Sequence, residues 1–469
     1  MGNWTMLGNS FSGAGSRLAL VGLFLSSLVP AHPQSNAGYA PDRSRPIRER
    51  LLPGAYPANP TLPATAKIPV EPLGFSPPGP LYLGQRNSLV SLDFIGESEL
   101  LFTFRVPGLI HRQLNAGESD QSDERQIRAV VLHLPEGTIE AEGLWTLHDR
   151  GPYLWMLKDG HFLLRDRENL QLGDAHLDLK PLLQFPGPLL WLELDPSQRF
   201  MVANSQEPAA TPVKSTTADK PTTADRPGAA DSPGAAATGT AIDQAAGGDA
   251  AAAQPDLVVR ILHRETGQVL LVSRVRQLVH LPINSEGYLE SLRGRAQDWV
   301  LNLNYFTGGS RVVGTVQSAC APNMDFISEQ EVAVAGCDSL GSHKLLAVTT
   351  QGKTLWANLN PDTAIWPLLV RSPDGSRLVQ ETLAVTHAVS SYAPLSSDDI
   401  KGQVVRVFDA ATGEVAFESP ASPVLDAGGN VALSPSSRRV AVLNEGAIEV
   451  FDLPAAAALA GAAAKTPAH

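Results

Sequence analysis

The sequence predicts an all-β chain built as a ring of small antiparallel sheets, and three observations carry that prediction. The first is the stretch Val431 to Pro454, VALSPSSRRVAVLNEGAIEVFDLP, where apolar residues alternate in three runs separated by Ser-Pro-Ser-Ser and Asn-Glu-Gly. Alternation of period 2 interrupted by turn residues marks three short strands joined by two tight turns. The second is recurrence: a sheet this small cannot bury both faces alone, and the chain repeats it. The third is the spacing of the repeats, which is that of one four-stranded propeller blade.

Two repeated elements define the unit. One is a strand, a Ser/Asp-Pro turn, a basic residue and a second strand: LDPSQRFMVA from Leu194, RSPDGSRLVQ from Arg371 and LSPSSRRVAV from Leu433. The other is a strand, a Thr-Gly turn and a strand: VVRILHRETGQVLL from Val258, VVRVFDAATGEVAF from Val404 and, more weakly, LLAVTTQGKTLWA from Leu345. Proline pre-sets φ at the first turn position and glycine supplies the positive φ of a hairpin bend, so these turns select these residues. Pro196 and Pro373 stand about 177 positions apart; less about 50 low-complexity residues, that leaves about three periods of ~42. From Leu81 to Pro454 the same correction leaves about 320 residues, which at ~40–45 per blade predicts seven blades and also admits eight. A β-sandwich pair is the alternative, but it does not require equal periods.

Taken in order, residues 1–31 read as a secretory signal peptide. Arg17 precedes the thirteen-residue uncharged run LALVGLFLSSLVP, and Val29-Pro30-Ala31 offers small residues for cleavage before His32. An uncleaved anchor is the alternative, although the run is shorter than the ~20 residues that span a bilayer. Residues 32–80 are crowded with proline, as in LLPGAYPANPTLP, and lack any sustained period, which predicts a disordered leader. Strand texture begins at Leu81 and continues through SLVSLDFIGESELLFTFRV, with a hairpin turning at Lys158-Asp159-Gly160.

The pattern stops at Ser205. From there to Asp256 the chain is Ala, Thr, Pro, Gly, Asp and Lys with almost no large apolar side chain, so residues 205–256 are predicted to be a disordered insertion in a surface loop. Strand pattern resumes at once beyond it, so the insertion interrupts a sheet and does not divide domains. The propeller is placed at 81–454, closed by an N-terminal strand near Leu81 to Leu92 that completes the last blade and removes open edges. Residues 455–469 are an Ala-rich tail, either a short helix or a frayed end.

Cys320 and Cys337 are the two cysteines of the 469-residue chain. They flank the strand candidates MDFI and VAVAG, so folding that hairpin brings both thiols to its open end, and an oxidising compartment would join them as a structural disulfide. Two reduced strand-end thiols are the alternative. A formal net charge of −12 argues against a nucleic-acid partner.

The SPDG-type turns and the VFDAATGEV strand pair resemble bacterial extracytoplasmic β-propeller repeats of the broad WD40-like and YVTN-like kind. The resemblance covers about three-quarters of the chain, is specific only at those turns, and lacks the Gly-His and Trp-Asp dipeptides of WD40 repeats. It implies a fold more than an activity.

Motifs that would carry chemistry are sparse. Histidines such as His111, His133, His148, His161, His176, His263, His280, His343 and His387 stand singly, with no HExxH and no Cys/His cluster, so no metal ligand is assigned. His263 occupies the place of Asp409 in the sister repeat, a strand end where a polar side chain caps a turn. There is no Gly-x-Ser-x-Gly and no segment patterned as an appended catalytic domain; catalytic and cofactor-binding residues are therefore none, and no cofactor is expected. Trp145, Trp155, Trp191, Trp299, Trp356 and Trp366 could line a sugar- or quinone-binding face. GKTLW at Gly352 resembles one strand end of quinoprotein propellers, but occurs once, which points to blade packing. The candidate ligand loop is Thr386 to Gln403, longer than a hairpin needs and carrying His387, Asp398, Asp399 and Lys401.

Together these readings predict a periplasmic or secreted, noncatalytic binding or scaffold module. Its partner would be an unknown protein or carbohydrate, with no nucleic acid and no stable membrane span after signal cleavage. The alternatives are a propeller enzyme, a quinoprotein-like oxidoreductase or lyase using the central funnel, and a glycan-binding lectin. An enzyme would gather titratable groups from several blades within a few ångströms; a lectin would expose tryptophan rings on one face.

Overall fold

The computed structural model describes residues 49–54, 56–79, 87–107, 124–148, 151–207, 256–337, 343–389 and 396–457. Their strands form seven sheets, and in each the blade's own strands pair antiparallel in sequence order. Two strands precede the first blade, β1 (Glu49–Leu51) and β2 (Ala66–Pro69). Blade 1 is β3 (Val90–Phe94), β4 (Glu99–Arg105), β5 (Arg125–His133) and β6 (Thr138–Leu147). Blade 2 is β7 (Leu154–Met156), β8 (Phe162–Asp166), β9 (Asn169–Gly173) and β10 (Leu179–Gln184), and blade 3 is β11 (Leu189–Leu194), β12 (Phe200–Glu207), β13 (Asp256–His263) and β14 (Val269–Val275).

Blade 4 has three full strands, β15 (Gly287–Arg293), β16 (Asp298–Tyr305) and β17 (Ser310–Gln317), and its innermost position is reduced to one bridge between Ile283 and Tyr288. Blade 5 is β18 (Asn323–Ser328), β19 (Glu331–Cys337), β20 (His343–Thr349) and β21 (Thr354–Leu359), and blade 6 is β22 (Ala364–Arg371), β23 (Arg377–Val385), β24 (Ile400–Asp409) and β25 (Val415–Ala421). Blade 7 supplies only β26 (Val431–Leu433), β27 (Arg439–Asn444) and β28 (Ala447–Asp452) from its own stretch.

The ring closes through the N-terminus, but at a different place from the one the sequence suggested. The outer strand of blade 7 is β2, paired antiparallel to β28 with Ile68 opposite Ile448. The segment predicted to do this, near Leu81 to Leu92, instead leads into β3, the inner strand of blade 1, and residues 81–86 of it lie outside the described residues. The described part of the predicted leader is integrated into the ring. β1 adds a fifth, parallel strand to blade 5, Thr61 bonds to Glu418 on blade 6, and Ile68, Val70, Leu73 and Phe75 are buried. Proline-rich composition misled because a strand at a sheet edge tolerates proline: Pro69 ends β2 where one side of the ladder is unpaired.

Burial follows the ring. Seven hydrophobic clusters each join one blade to the next, such as Leu101, Ile127, Phe162 and Leu164 between blades 1 and 2. The seventh joins blade 7 back to blade 1 through Ala441, Ile448, Val90 and Leu100. No blade can bury these faces by itself, and each core is shared by two blades. Trp356 of blade 5 shows the packing in detail: it stacks on Phe408, donates from Nε1 to the Ala410 carbonyl of blade 6 at 2.7 Å, and covers Gly413, where φ is +69° and a Cβ would strike the indole. The single GKTLW match is thus a blade-to-blade contact.

Both repeated elements form as predicted. The Pro turns join the first and second strands, with left-handed residues at the equivalent positions Gln198, Gly375 and Ser437. The Thr-Gly turns join the third and fourth strands. In an up-and-down blade both kinds of turn open on one face of the ring, so the connections between second and third strands lie on the other. That other face holds the described strand ends that flank the longest connections. Residues 108–123, 208–255, 338–342 and 390–395, which include most of the predicted insertion, lie outside the described residues. So do the predicted signal peptide and residues 458–469 of the tail.

Candidate functional site

The described residues place the richest polar chemistry at the axis of the ring. Along β11 the buried residues Leu189, Leu192 and Leu194 pack toward blade 2, so strand alternation turns Trp191 and Glu193 the other way. They meet His280, which lies on the irregular inner segment of blade 4. Glu193 Oε2 is 3.2 Å from His280 Nε2, and the Trp191 and His280 rings meet edge to face at 6.0 Å. Asp325 comes from β18 of blade 5 and Arg371 from the end of β22 of blade 6.

Arg371 organises the group. Its Nη1 donates to the Phe326 carbonyl at 2.9 Å and sits 3.8 Å from Asp325 Oδ1. Its Nη2 donates to the Leu194 carbonyl, on blade 3, so one guanidinium ties three blades together across the axis. Solvent still reaches the cluster: the side chains of Glu193, Arg371, Asp325 and His280 are 12%, 19%, 26% and 35% exposed.

The environment sets the charges. Desolvation raises the Glu193 carboxyl well above the usual carboxylate range, and the neighbouring Asp325 raises it further while Arg371 pulls it back. Asp325 is also raised by desolvation, opposed by Arg371 and His280. His280 is lowered by desolvation, against the pull of Asp325. The Trp191 N–H points toward the Glu193 carboxyl and lowers it slightly, although its geometry falls short of a hydrogen bond. Burial thus pushes the Glu193 carboxyl and the His280 imidazole toward their neutral forms, while the Arg371 guanidinium opposes the same effect at Asp325. Among the described residues no group of three or more His, Cys, Asp or Glu is arranged to hold a metal ion.

The predicted ligand loop is built differently. Ser396 and Asp399 form a capping box around a single 3-10 turn over Ser397–Asp399, Thr386 Oγ1 bonds His387 Nδ1 at 2.9 Å, and His387 Nε2 is 3.9 Å from Asp399 Oδ1. The fold brings His387 and Asp399 together as a local brace; Asp398 and the exposed Lys401, at the start of β24, stand beside it on the face of long connections. Asp409 caps its turn through the Ala411 and Thr412 amides, but His263 packs its ring on Phe200 at 5.5 Å instead of repeating that cap. Trp145 and Trp356 are buried, Trp155, Trp191 and Trp299 half-buried, and the Trp366 side chain lies outside the described residues. Cys320 and Cys337 form the predicted disulfide, with Cα atoms 5.7 Å apart.

Sequence reasoning missed Glu193, Asp325 and Arg371 and set His280 aside as a solitary residue. A signal was present: each carboxylate interrupts an apolar inner strand at a position facing the axis, in LLWLEL and NMDFIS, and Arg371 immediately precedes a Pro turn.

No protein-family model and no curated protein matches the sequence. Among solved structures the chain is similar to uncomplexed acylaminoacyl peptidase from Pyrococcus horikoshii, with TM-score 0.43, 10% identity, and coverage of 79% of this chain and 52% of that one. It is also similar to the β-propeller domain of the Trilobed protease from Pyrococcus furiosus, with TM-score 0.39, 9% identity, and coverage of 78% and 94%. A third is Kuenenia stuttgartiensis hydrazine synthase, with TM-score 0.38, 7% identity, and coverage of 74% and 99%. The chain spans about half the length of the acylaminoacyl peptidase chains it matches. The class of protein is set by the sheet order: a seven-bladed β-propeller with a polar cluster on its axis. No helix among the described residues is long and apolar enough to cross a membrane.

Proposed function

We propose that this propeller is an exported, noncatalytic binding module that takes a small polar ligand in its axial channel. The observation that carries the reading is the convergence of Glu193, His280, Asp325 and Arg371 from four consecutive blades at a point that solvent reaches. Inner strands deliver Glu193, Asp325 and Arg371, and the irregular inner segment of blade 4 delivers His280, which its contacts with Glu193 and Trp191 hold in place for recognition. Arg371 is committed to main-chain carbonyls, so its hydrogen-bonding capacity is largely structural. Export is supported by the disulfide, which oxidising compartments favour. His387, Asp398, Asp399 and Lys401 are a separate candidate contact surface.

A second reading, acid–base chemistry of the lyase type, draws support from one observation: two carboxyls, both raised by burial, converge with an imidazole at the axis. Ligand-observed NMR with acetate, methylammonium, imidazole, glycerol and glucose tests the primary reading. At least one fragment should show saturation transfer with the wild type and lose it with the Glu193→Gln/Asp325→Asn double variant. Identical responses from both proteins to every fragment would defeat the channel as a binding site, and conversion of a fragment by the wild type alone would favour the enzyme.

A further inference from the structure

The chemistry of the axial cluster narrows the ligand, on the reading that the channel binds one. It holds no excess of cations: the one guanidinium, Arg371, faces Asp325 at 3.8 Å, and Glu193 shares a 3.2 Å hydrogen bond with His280. A site for an anion needs cations in excess, and the cation Arg371 already donates to two carbonyls. A cation would have to compete with Arg371 for Asp325. What the cluster offers instead is a set of donors and acceptors in one place: carboxyl oxygens of Glu193 and Asp325, an imidazole, and a guanidinium edge.

Beside them stands an aromatic wall. Trp191 is half-buried on β11, one alternation step from Glu193, and its ring is already fixed edge-on by His280 at 6.0 Å. Its Nε1 is buried with no hydrogen-bond partner of acceptable geometry. That N–H is closed to solvent and aimed at the Glu193 carboxyl, so the indole offers a ligand its partly exposed ring. An aromatic face, planar carboxyl groups, and a guanidinium already paired with Asp325 and two carbonyls are together complementary to a molecule with C–H faces above and hydroxyls around its rim.

We propose that the axial channel of this propeller binds a neutral polyhydroxylated ring, a sugar or cyclic polyol, seated against Trp191 with its hydroxyls on Glu193, His280 and Asp325. The ligand enters from solvent and displaces water from groups that are already in position, so the inner strands need not rearrange.

Titration of the full chain with glucose, galactose and myo-inositol, read by tryptophan fluorescence and calorimetry, tests this against acetate and methylammonium in the same buffer. At least one neutral ring should saturate, and its dissociation constant should weaken about tenfold or more in both Trp191→Phe and Glu193→Gln. Trp191→Phe keeps an aromatic side chain, and a melting curve matching the wild type within a few degrees establishes that the variant is folded; if it is not, Glu193→Gln alone decides. Saturation by acetate or methylammonium but by no neutral ring would overturn the sugar assignment while leaving the channel as a binding site. No response from any probe would overturn both, and ring binding unchanged in the two variants would place the sugar elsewhere and overturn the assignment to this channel.

Discussion

The Arg371 guanidinium, on the inner strand of blade 6, hydrogen-bonds the Leu194 carbonyl on the inner strand of blade 3. With its bond to Phe326 it makes the axis a braced site whose polar groups depend on one cation. Replacing Arg371 by Met removes that donor from two carbonyls and the counter-charge from Asp325. Urea unfolding should show a loss of about 2–3 kcal/mol, and Lys should not restore it, because an ammonium cannot fork between two blades. An unchanged midpoint would show that the brace is dispensable.

Glu207 and Asp256 are paired across the β12–β13 ladder although 48 residues separate them in the sequence. The long segment therefore leaves and re-enters the sheet at one point, like an ordinary hairpin turn. Replacing residues 208–255 by Asn-Gly should leave the melting temperature within a few degrees of the wild type, since closing a longer loop costs only about 0.6 kcal/mol per doubling. Loss of cooperative unfolding in that deletion would mean the segment contributes to the fold.

The Cys320–Cys337 bridge ties the entry of blade 5 to the end of its second strand, across a sequence separation of 17. Substituting both by Ser should cost about 3 kcal/mol in the chain-entropy treatment, and reduction of the wild type should cost the same. Mass analysis of material from the periplasm should find no alkylatable thiol without reductant.

Glu381 is buried on β23, and desolvation raises its pKa from 4.5 to about 8, opposed by a hydrogen bond from the Gly429 amide. The unfolded chain releases this proton near pH 4.5 while the folded chain keeps it until about pH 8. The stabilisation is thus full below pH 4.5 and is lost as pH rises to about 8, by on the order of 2–4 kcal/mol. Asp93, raised by desolvation to about 6, adds to the slope at its lower end. The difference between wild type and Glu381→Gln across pH 5 to 8 isolates Glu381: the variant should lose less stability over that range, and parallel curves would refute the assignment.

Ile68 of β2 is buried in the cluster that joins blade 7 to blade 1. Ile68→Ala should cost about 2–4 kcal/mol by the cavity it leaves. Removing β2 altogether bares the edge of β28, and concentration-dependent association should follow, measurable by light scattering.

Most of the architecture was legible in the sequence because it rests on local rules. Alternation, the Pro turns and the Thr-Gly turns are each written within a dozen residues, and the period between them counts the blades. The disulfide was legible for the same reason, since its hairpin is local. The closing strand was not: β2 is four residues of AKIP inside a proline-rich stretch, and only the bare edge of β28, 380 or so positions away, makes it a strand. Nor was the axial site. Glu193, His280, Asp325 and Arg371 each look ordinary in sequence, and they meet only because a closed ring turns the inner segments of four blades toward one line. Turns are decided by the conformational preferences of a few adjacent residues, whereas charges and hydrogen bonds act on whatever the tertiary fold brings within a few ångströms.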